Sequence, residues 1–202
     1  MTGSSDDHPG PPGDLATRSP LLFTLQAGQT LSRIHRKGQD PIFFGKTGRN
    51  RFDAPDNSYG VLYLGLDEYC AFIETFGQLT GTIVVTRKVL KERHLAYLTT
   101  TTSLILIDLA NTGGLARVGA DGRLLTGCHA VAQSWSVALR GHPAHPAGIL
   151  YPARHDLARR ACALFDLPHD VFQVKKAGSL MDPKHTHLLA NLLDTYGFGL
   201  ID

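Results

Sequence analysis

At 202 residues, with 43% hydrophobic and 19% charged residues, the chain has the make-up of one globular domain able to bury a core without disulfides. Twenty basic and eighteen acidic residues leave a net charge of +2, which excludes a general electrostatic attraction to nucleic acid or membrane surfaces. The three cysteines, Cys70, Cys128 and Cys162, form neither a C-x-x-C pair nor a disulfide framework. No apolar run reaches the ~18 residues needed to cross a bilayer, and the N-terminus lacks a basic-then-apolar signal pattern, so a cytoplasmic location is expected.

In chain order, residues 1–20 are rich in Gly, Pro, Ser and Asp, which predicts a mobile tail followed by one domain over 21–202. The stretch 30–36 (TLSRIHR) reads as a strand or strand end carrying Arg33 and His35. Basic residues recur there and at Lys46, Arg49 and Arg51, as either a solvated loop surface or an anion site. The almost wholly apolar run 61–66 (VLYLGL) predicts a central strand covered on both faces, with Tyr63 as core. Asp67 is a plausible N-cap for a helix over 68–79, in which Phe72, Phe76 and Leu79 make a core-facing stripe. Glu74 then lies nearly opposite that stripe, on the side shared with Cys70 and facing solvent by default.

Gly81 marks the helix exit, and 82–86 (TIVVT) predicts a second strand. Residues 101–109 (TTSLILIDL) predict another. The run 111–127 holds five glycines and reads as loop with a short helical turn. A helix is expected over 129–139, strands over 148–151 and 161–165, and a last helix over 184–196. Helices and strands mix without regular βαβ alternation, which favours an α+β fold.

Motifs with a fixed chemistry are absent. Gly45-Lys46-Thr47 suggests a phosphate loop, but the glycine such a loop needs at position 40 is Asp40. His142/His145 and His185/His187 lack metal-ligand spacing and a third ligand, so no metal is expected. Ser134 and Ser136 lack the G-x-S-x-G elbow, and no G-x-G-x-x-G follows a strand. Taken singly, Arg33 reads as an edge arginine and Arg51 as a local partner of Asp53.

Taken in order, the segments Ser32-Arg33-Ile34-His35, Pro41-Ile42-Phe43-Phe44-Gly45, Arg49-Asn50-Arg51-Phe52-Asp53, Tyr59-Gly60-Val61-Leu62-Tyr63-Leu64, Ala71-Phe72-Ile73-Glu74-Thr75-Phe76, Gly148-Ile149-Leu150-Tyr151-Pro152-Ala153-Arg154 and Tyr196-Gly197-Phe198-Gly199-Leu200-Ile201 resemble the RES domain. The resemblance implies an ADP-ribosyltransferase-like α+β fold, with a split mixed β-sheet and flanking helices around an NAD cleft. It implies an enzyme that cleaves the nicotinamide–ribose bond of NAD, as a phosphorylase or glycohydrolase, and a toxin paired with an Xre-type antitoxin. NAD is then a substrate rather than a cofactor, with inorganic phosphate as a co-substrate.

By position, the resemblance gives Glu74 and Arg33 the catalytic roles and Arg33, His35, Arg51, Tyr63, Glu74 and Ala153 the NAD contacts. Two departures stand out: Ala153 where the family serine is expected, with Ser134 and Ser136 as candidate substitutes, and Ser32 where an aromatic is common. Partners compatible with the resemblance are NAD, an antitoxin and a second copy of the chain as a homo-oligomer, without direct nucleic-acid or membrane binding. Two other functions compete with NAD degradation: ADP-ribose transfer to a macromolecule, and a non-catalytic NAD- or antitoxin-binding module.

Overall fold

A computed structural model of the chain describes residues 9–77 and 83–202. The strands are β1 (Leu22–Leu25), β2 (Thr30–Arg36), β3 (Val61–Gly65), β4 (Val84–Thr86), β5 (Arg93–Thr100), β6 (Leu104–Asp108), β7 (Gly148–Ala153), β8 (Asp156–Phe165), β9 (Phe172–Ser179) and β10 (Gly199–Ile201). The helices are α1 (Glu68–Phe76), α2 (Arg87–Lys91), α3 (Gly114–Val118), α4 (Arg123–Thr126), α5 (His129–Arg140) and α6 (Thr186–Tyr196).

Eight strands form one mixed sheet in the order β1-β6-β7-β8-β3-β2-β5-β9, and β4 pairs with β10 in a separate parallel ribbon. With helices flanking a large mixed sheet and no regular alternation, the fold is α+β, as composition and pattern predict. The two halves of the sheet share almost no backbone pairing. β2 and β3 share a single register pair, Ser32 with Gly65. By contrast, β2 follows β5 from Thr30–Thr99 to Arg36–Arg93, and β3 follows β8 from Val61–Phe165 to Gly65–Ala161. Beyond that fork β3 takes a different neighbour: Gly45 and Val61 exchange both backbone hydrogen bonds at 3.0 Å. The backbone groups of a splayed strand need partners when buried, and the loop after β2 supplies them.

Strand β3 alternates as a strand covered on both faces must. Leu62 and Leu64 pack with Leu31, Ala96 and Leu98 of the other half-sheet and with Leu106, Leu150 and Leu164 of their own. Val61 lies in a second cluster with Phe52, Trp135, Leu139 and Tyr151, and Tyr63 packs against it half-buried. Asp67 caps α1 as expected, its side chain accepting from the Cys70 amide at 2.7 Å. Phe72 and Phe76 enter a third cluster with α6, where Phe72 stacks on Tyr196 at 6.1 Å. The expected stripe residue Leu79 and the exit at Gly81 fall outside the described residues. The side of α1 opposite this stripe is not a solvent face: Cys70 is wholly buried and Glu74 is turned inward, because the helix is covered from both sides.

Several boundaries shift. The helix expected over 184–196 begins as a short 3-10 turn, Pro183–His185, before α6. The glycine-rich 111–127 run holds two short helices, α3 and α4. Strands β1, β5 and β9 lie where the pattern predicts none; in β5 and β9, Arg93-His94 and Lys175-Lys176 interrupt the apolar pattern. The N-terminal stretch also differs from its composition. Within it Leu15 is buried in the core, and the Trp135 indole donates to the Pro9 carbonyl at 2.9 Å. A single leucine and backbone contacts to fixed partners are enough to lay residues 9–20 on the domain.

Gly65 sits at the fork and has no room for a side chain: an added Cβ would lie 2.7 Å from the Ala71 amide and 2.9 Å from Cys70 Cβ. We expect Gly65→Ala to push α1 off β3 and lower unfolding stability by about 1–3 kcal/mol, as over-packing does. Chemical denaturation will show this as a lower midpoint; an unchanged midpoint would mean that α1 can slide without cost.

Candidate active site

The fork opens into a cleft of about 500 Å³, within the range of small-molecule sites. Its walls come from six places in the sequence. β2 gives Ser32 and Arg33, the loop before β3 gives Arg49, Asn50 and Arg51, and β3 gives Tyr63. Helix α1 gives Glu74 and Thr75, the start of α5 gives His129, and the β7–β8 hairpin gives Tyr151, Arg154 and His155. Four arginines and two histidines thus surround one carboxylate, Glu74, among the described lining residues. Such a cleft favours an anionic ligand.

The side chains of Arg33, Arg51 and Glu74 are each held by backbone. The Arg33 guanidinium donates to the Pro41 carbonyl and, at 3.5 Å, to that of Phe43. Burial lowers its pKa to about 10, opposed by Asp40, so it stays cationic at neutral pH. Arg51 donates through Nη1 to the Gly127 carbonyl at 2.9 Å and the Leu124 carbonyl at 3.3 Å, across the α4–α5 junction. Burial, and then Arg154, depress its pKa. Glu74 Oε1 accepts from the Arg154 amide at 2.9 Å. Burial raises the Glu74 pKa, while that amide, His155, Arg51 and Arg154 pull it down.

Asp53 does not pair with Arg51. Its carboxylate, wholly buried, takes the Tyr63 hydroxyl at 3.0 Å on Oδ1. On Oδ2 it takes the Thr47 hydroxyl and the amides of Arg49 and Asn50, each at 3.1 Å. The Asn50 side chain donates to both oxygens. The loop is further strapped to α5, since Gln133 donates to the Gly48 and Asn50 carbonyls, His129 to that of Arg49 and Ser136 to that of Phe52. The cradle fixes Tyr63 as a rigid wall and presents Arg49 and Arg51 to the cleft.

Of the residues singled out in the sequence, Arg33, Arg51, Tyr63 and Glu74 converge on the cleft. His35 and Ala153 do not line it. His35 lies farther along β2, 7% exposed, its Nδ1 bonded to the Arg36 carbonyl and its ring 6.1 Å from that of His94. Ala153 is wholly buried in the core, where an irregularity between Pro152 and Ala153 ends the regular β7–β8 register. Neither serine substitutes for it. Ser136 is buried between the Tyr59 hydroxyl and the Phe52 carbonyl, and Ser134 bonds within α5. Among the described residues, Ser32 and Thr75 are the serine and threonine that line the cleft.

Asn50, His129, Arg154 and His155 also face the cleft without having been singled out. Adjacent basic residues at a tight turn between two strands were the available signal for Arg154 and His155. Among the described residues no cluster of His, Cys, Asp and Glu could hold a metal ion, and no helix is long and apolar enough to cross a membrane. Replacing Asp53 by Asn puts an amide against amide and hydroxyl donors. We expect Asp53→Asn to lose about 1–3 kcal/mol of stability, the cost of stranding buried donors. Urea unfolding measures this, and a wild-type curve would show that the carboxylate does not organise the loop.

The RES domain family matches residues 30–187. No curated protein sequence matches the chain. Among solved structures, a chain of the crystal structure of the M. tuberculosis MbcT–MbcA toxin–antitoxin complex is similar, with a TM-score of 0.54 and 17% identity over 83% of this chain and 92% of that chain. At that identity the likeness establishes a shared fold. The matched segment contains every wall of the cleft, and the chain belongs to the RES domain family.

Proposed function

We propose that this protein cleaves the nicotinamide–ribose bond of NAD, passing the ADP-ribosyl group to phosphate or water. The observation that carries this reading is one desolvated carboxylate, Glu74, set among four arginines in a cleft where the sheet forks. NAD brings an anionic pyrophosphate, which a guanidinium such as Arg33 grips through parallel hydrogen bonds. It also brings a cationic nicotinamide that departs neutral, leaving positive charge on the ribose. Glu74 beside that ribose would stabilise the developing oxocarbenium ion. Tyr63, its hydroxyl already engaged by Asp53, offers a fixed ring face against nicotinamide or ribose and holds a reactive conformer.

Membership of the RES family supports the same reading, as does the placement of Ala153. Because that residue is buried in the core, its missing hydroxyl takes nothing from the cleft, which favours catalysis over a non-catalytic binding module. The similar solved chain comes from a toxin–antitoxin complex. We extend this to the present chain as a cytoplasmic toxin restrained by an Xre-type antitoxin.

Purified protein incubated with NAD should release free nicotinamide, with phosphate present or absent distinguishing phosphorolysis from hydrolysis. No nicotinamide under either condition would sink the reading. Glu74→Gln should lower kcat by about 10²–10³-fold, the usual size for losing an electrostatic stabiliser.

The pH dependence follows from the direction of the Glu74 shift. Catalysis needs the ionised form, so activity should fall on acidification with a midpoint above the ordinary glutamate range. In stability the sign reverses. A carboxyl whose folded pKa is raised holds its proton more tightly in the folded state, so ionising it at neutral pH costs stability. Glu74→Gln should therefore melt higher than wild type at neutral pH, with the gap closing as pH falls below the ordinary glutamate range. A lower melting point for the variant at neutral pH would identify Glu74 as a structural residue instead.

A further inference from the structure

We propose that Tyr196, the last residue of α6, is a positioning residue of the cleft: its bond to Asp156 holds the β7–β8 hairpin against α1 and so keeps the Arg154 amide on Glu74. Its consequence for catalysis rests on the NAD-cleaving reading above. Tyr196 does not line the cleft and lies beyond the segment that the family match covers, so neither gives it a role. Its place is set by the end of its helix. Gly197, at a φ of +65°, stops α6, and the Phe198 amide turns back to the Leu193 carbonyl at 2.8 Å. Phe198 then meets the Phe72 ring edge-on at 5.5 Å, while the Tyr196 ring stacks on that same ring. The phenol is thereby laid between α1 and the hairpin.

The hairpin needs such a hold because its own ladder gives out before the tip. Strands β7 and β8 pair regularly as far as Pro152 with Arg160, and the register then jumps to Ala153 with Asp156. Residues 157–159 bulge out of that register, so strand pairing does little to fix the neighbouring tip. Asp156, directly after the tip, is where it is tied down. Its Oδ1 accepts from the Ala158 amide at 3.1 Å, which closes the turn on itself. Its Oδ2 accepts from the Tyr196 hydroxyl at 3.0 Å, closer than Arg159 Nε at 3.6 Å. The same hydroxyl lies 3.4 Å from the Tyr69 carbonyl, at the start of α1. Burial, and then Asp156, keep the phenol protonated as the donor. Arg159 is engaged elsewhere, with Nη1 2.8 Å from Asp67 and its guanidinium over the Tyr69 ring.

Both ends of the Glu74 contact depend on this tie. Glu74 and Phe72 belong to α1, whereas the amide that Glu74 accepts belongs to the hairpin. Tyr196 touches each side, with its ring on Phe72 and its hydroxyl on Asp156. Releasing the hydroxyl frees the tip to move away from α1, which lengthens the amide bond and withdraws Arg154 and His155. The groups that bear on the Glu74 charge are Arg51 from the loop before β3, Arg154 and His155 from the hairpin, Tyr151 from β7 and Cys70 from α1. Those that a loosened tip withdraws, the Arg154 amide and the Arg154 and His155 side chains, all favour the ionised carboxylate. Glu74 should then become harder to ionise. Packing against Phe72 alone would carry no such effect.

Tyr196→Phe keeps the ring stack and removes the hydroxyl. In nicotinamide release by the full chain it should lower kcat by about tenfold, the scale of one bond to a charged group, with the KM for NAD within about twofold. The midpoint of the acidic limb should move upward by about half a pH unit or more. Asp156→Ala should do the same, and the double variant should add nothing to either alone. Leu192→Val, which thins the core under the same helix, should lower the melting temperature without moving that midpoint. Titrating the Glu74 side-chain carboxyl carbon by NMR, in the wild type and in Tyr196→Phe, reads the tie without substrate. A Glu74 midpoint that does not move in Tyr196→Phe would overturn the proposal, as would an equal shift in Leu192→Val. A wild type that releases no nicotinamide would remove the NAD reading, and the carboxyl titration would still decide whether Tyr196 holds the hairpin on Glu74.

Discussion

The site depends on one break in hydrogen bonding. β2 and β3 meet at Ser32 and Gly65 and then part, so two strands that would ordinarily zip together diverge around an opening. Buried backbone groups cannot be left without partners, and the chain meets that demand with the segment directly after β2. Gly45 pairs with Val61 on the β3 side, while the carbonyls of Pro41 and Phe43 receive Arg33 on the β2 side. The same short segment thus keeps the fork open and orients an arginine at its mouth. A fully paired β2–β3 ladder would satisfy the backbone equally well and leave no cleft.

The second wall is held by a different means. The loop from Thr47 to Asp53 has no regular structure, yet its amides and side chains converge on one buried carboxylate. Asp53 works as an internal cap. It joins the loop to Tyr63 on the sheet, and α5 joins it from the other side through Gln133 and Ser136. A loop fixed this way positions side chains as a helix or strand would, without the reorganisation that a mobile loop would require on binding.

Against these rigid walls Glu74 is the costly element. It is an acid drawn out of water at the centre of a cationic cleft, and burial opposes its charge more than its neighbours favour it. A site tuned for folding alone would not keep an ionisable group there. A site that must meet a transient cation gains from a carboxylate already desolvated and fixed, here by the Arg154 amide. The arginines around it offset part of the cost.

By itself the sequence determined the α+β class, the central strand with its alternating faces, the Asp67 cap of α1, and the ordered set Arg33, Arg51, Tyr63 and Glu74. These are local features: period, cap chemistry and segment order are written in neighbouring residues. Tertiary structure decided which of several buried sides a residue enters. Helical spacing put Glu74 opposite the Phe72–Phe76 stripe, and only packing on both sides of α1 turned that position inward to the cleft. Strand alternation could not say that β2 leaves its neighbour after Ser32, and so it could not separate Arg33 in the opening from His35 beyond it. Nor could it show that the β7–β8 irregularity takes Ala153 into the core and leaves Arg154 on the cleft. In the first two cases the deciding contact joins residues many positions apart, and no window along the chain contains both partners; in the hairpin the partners are near in sequence, and the shift of register is what the pattern does not show.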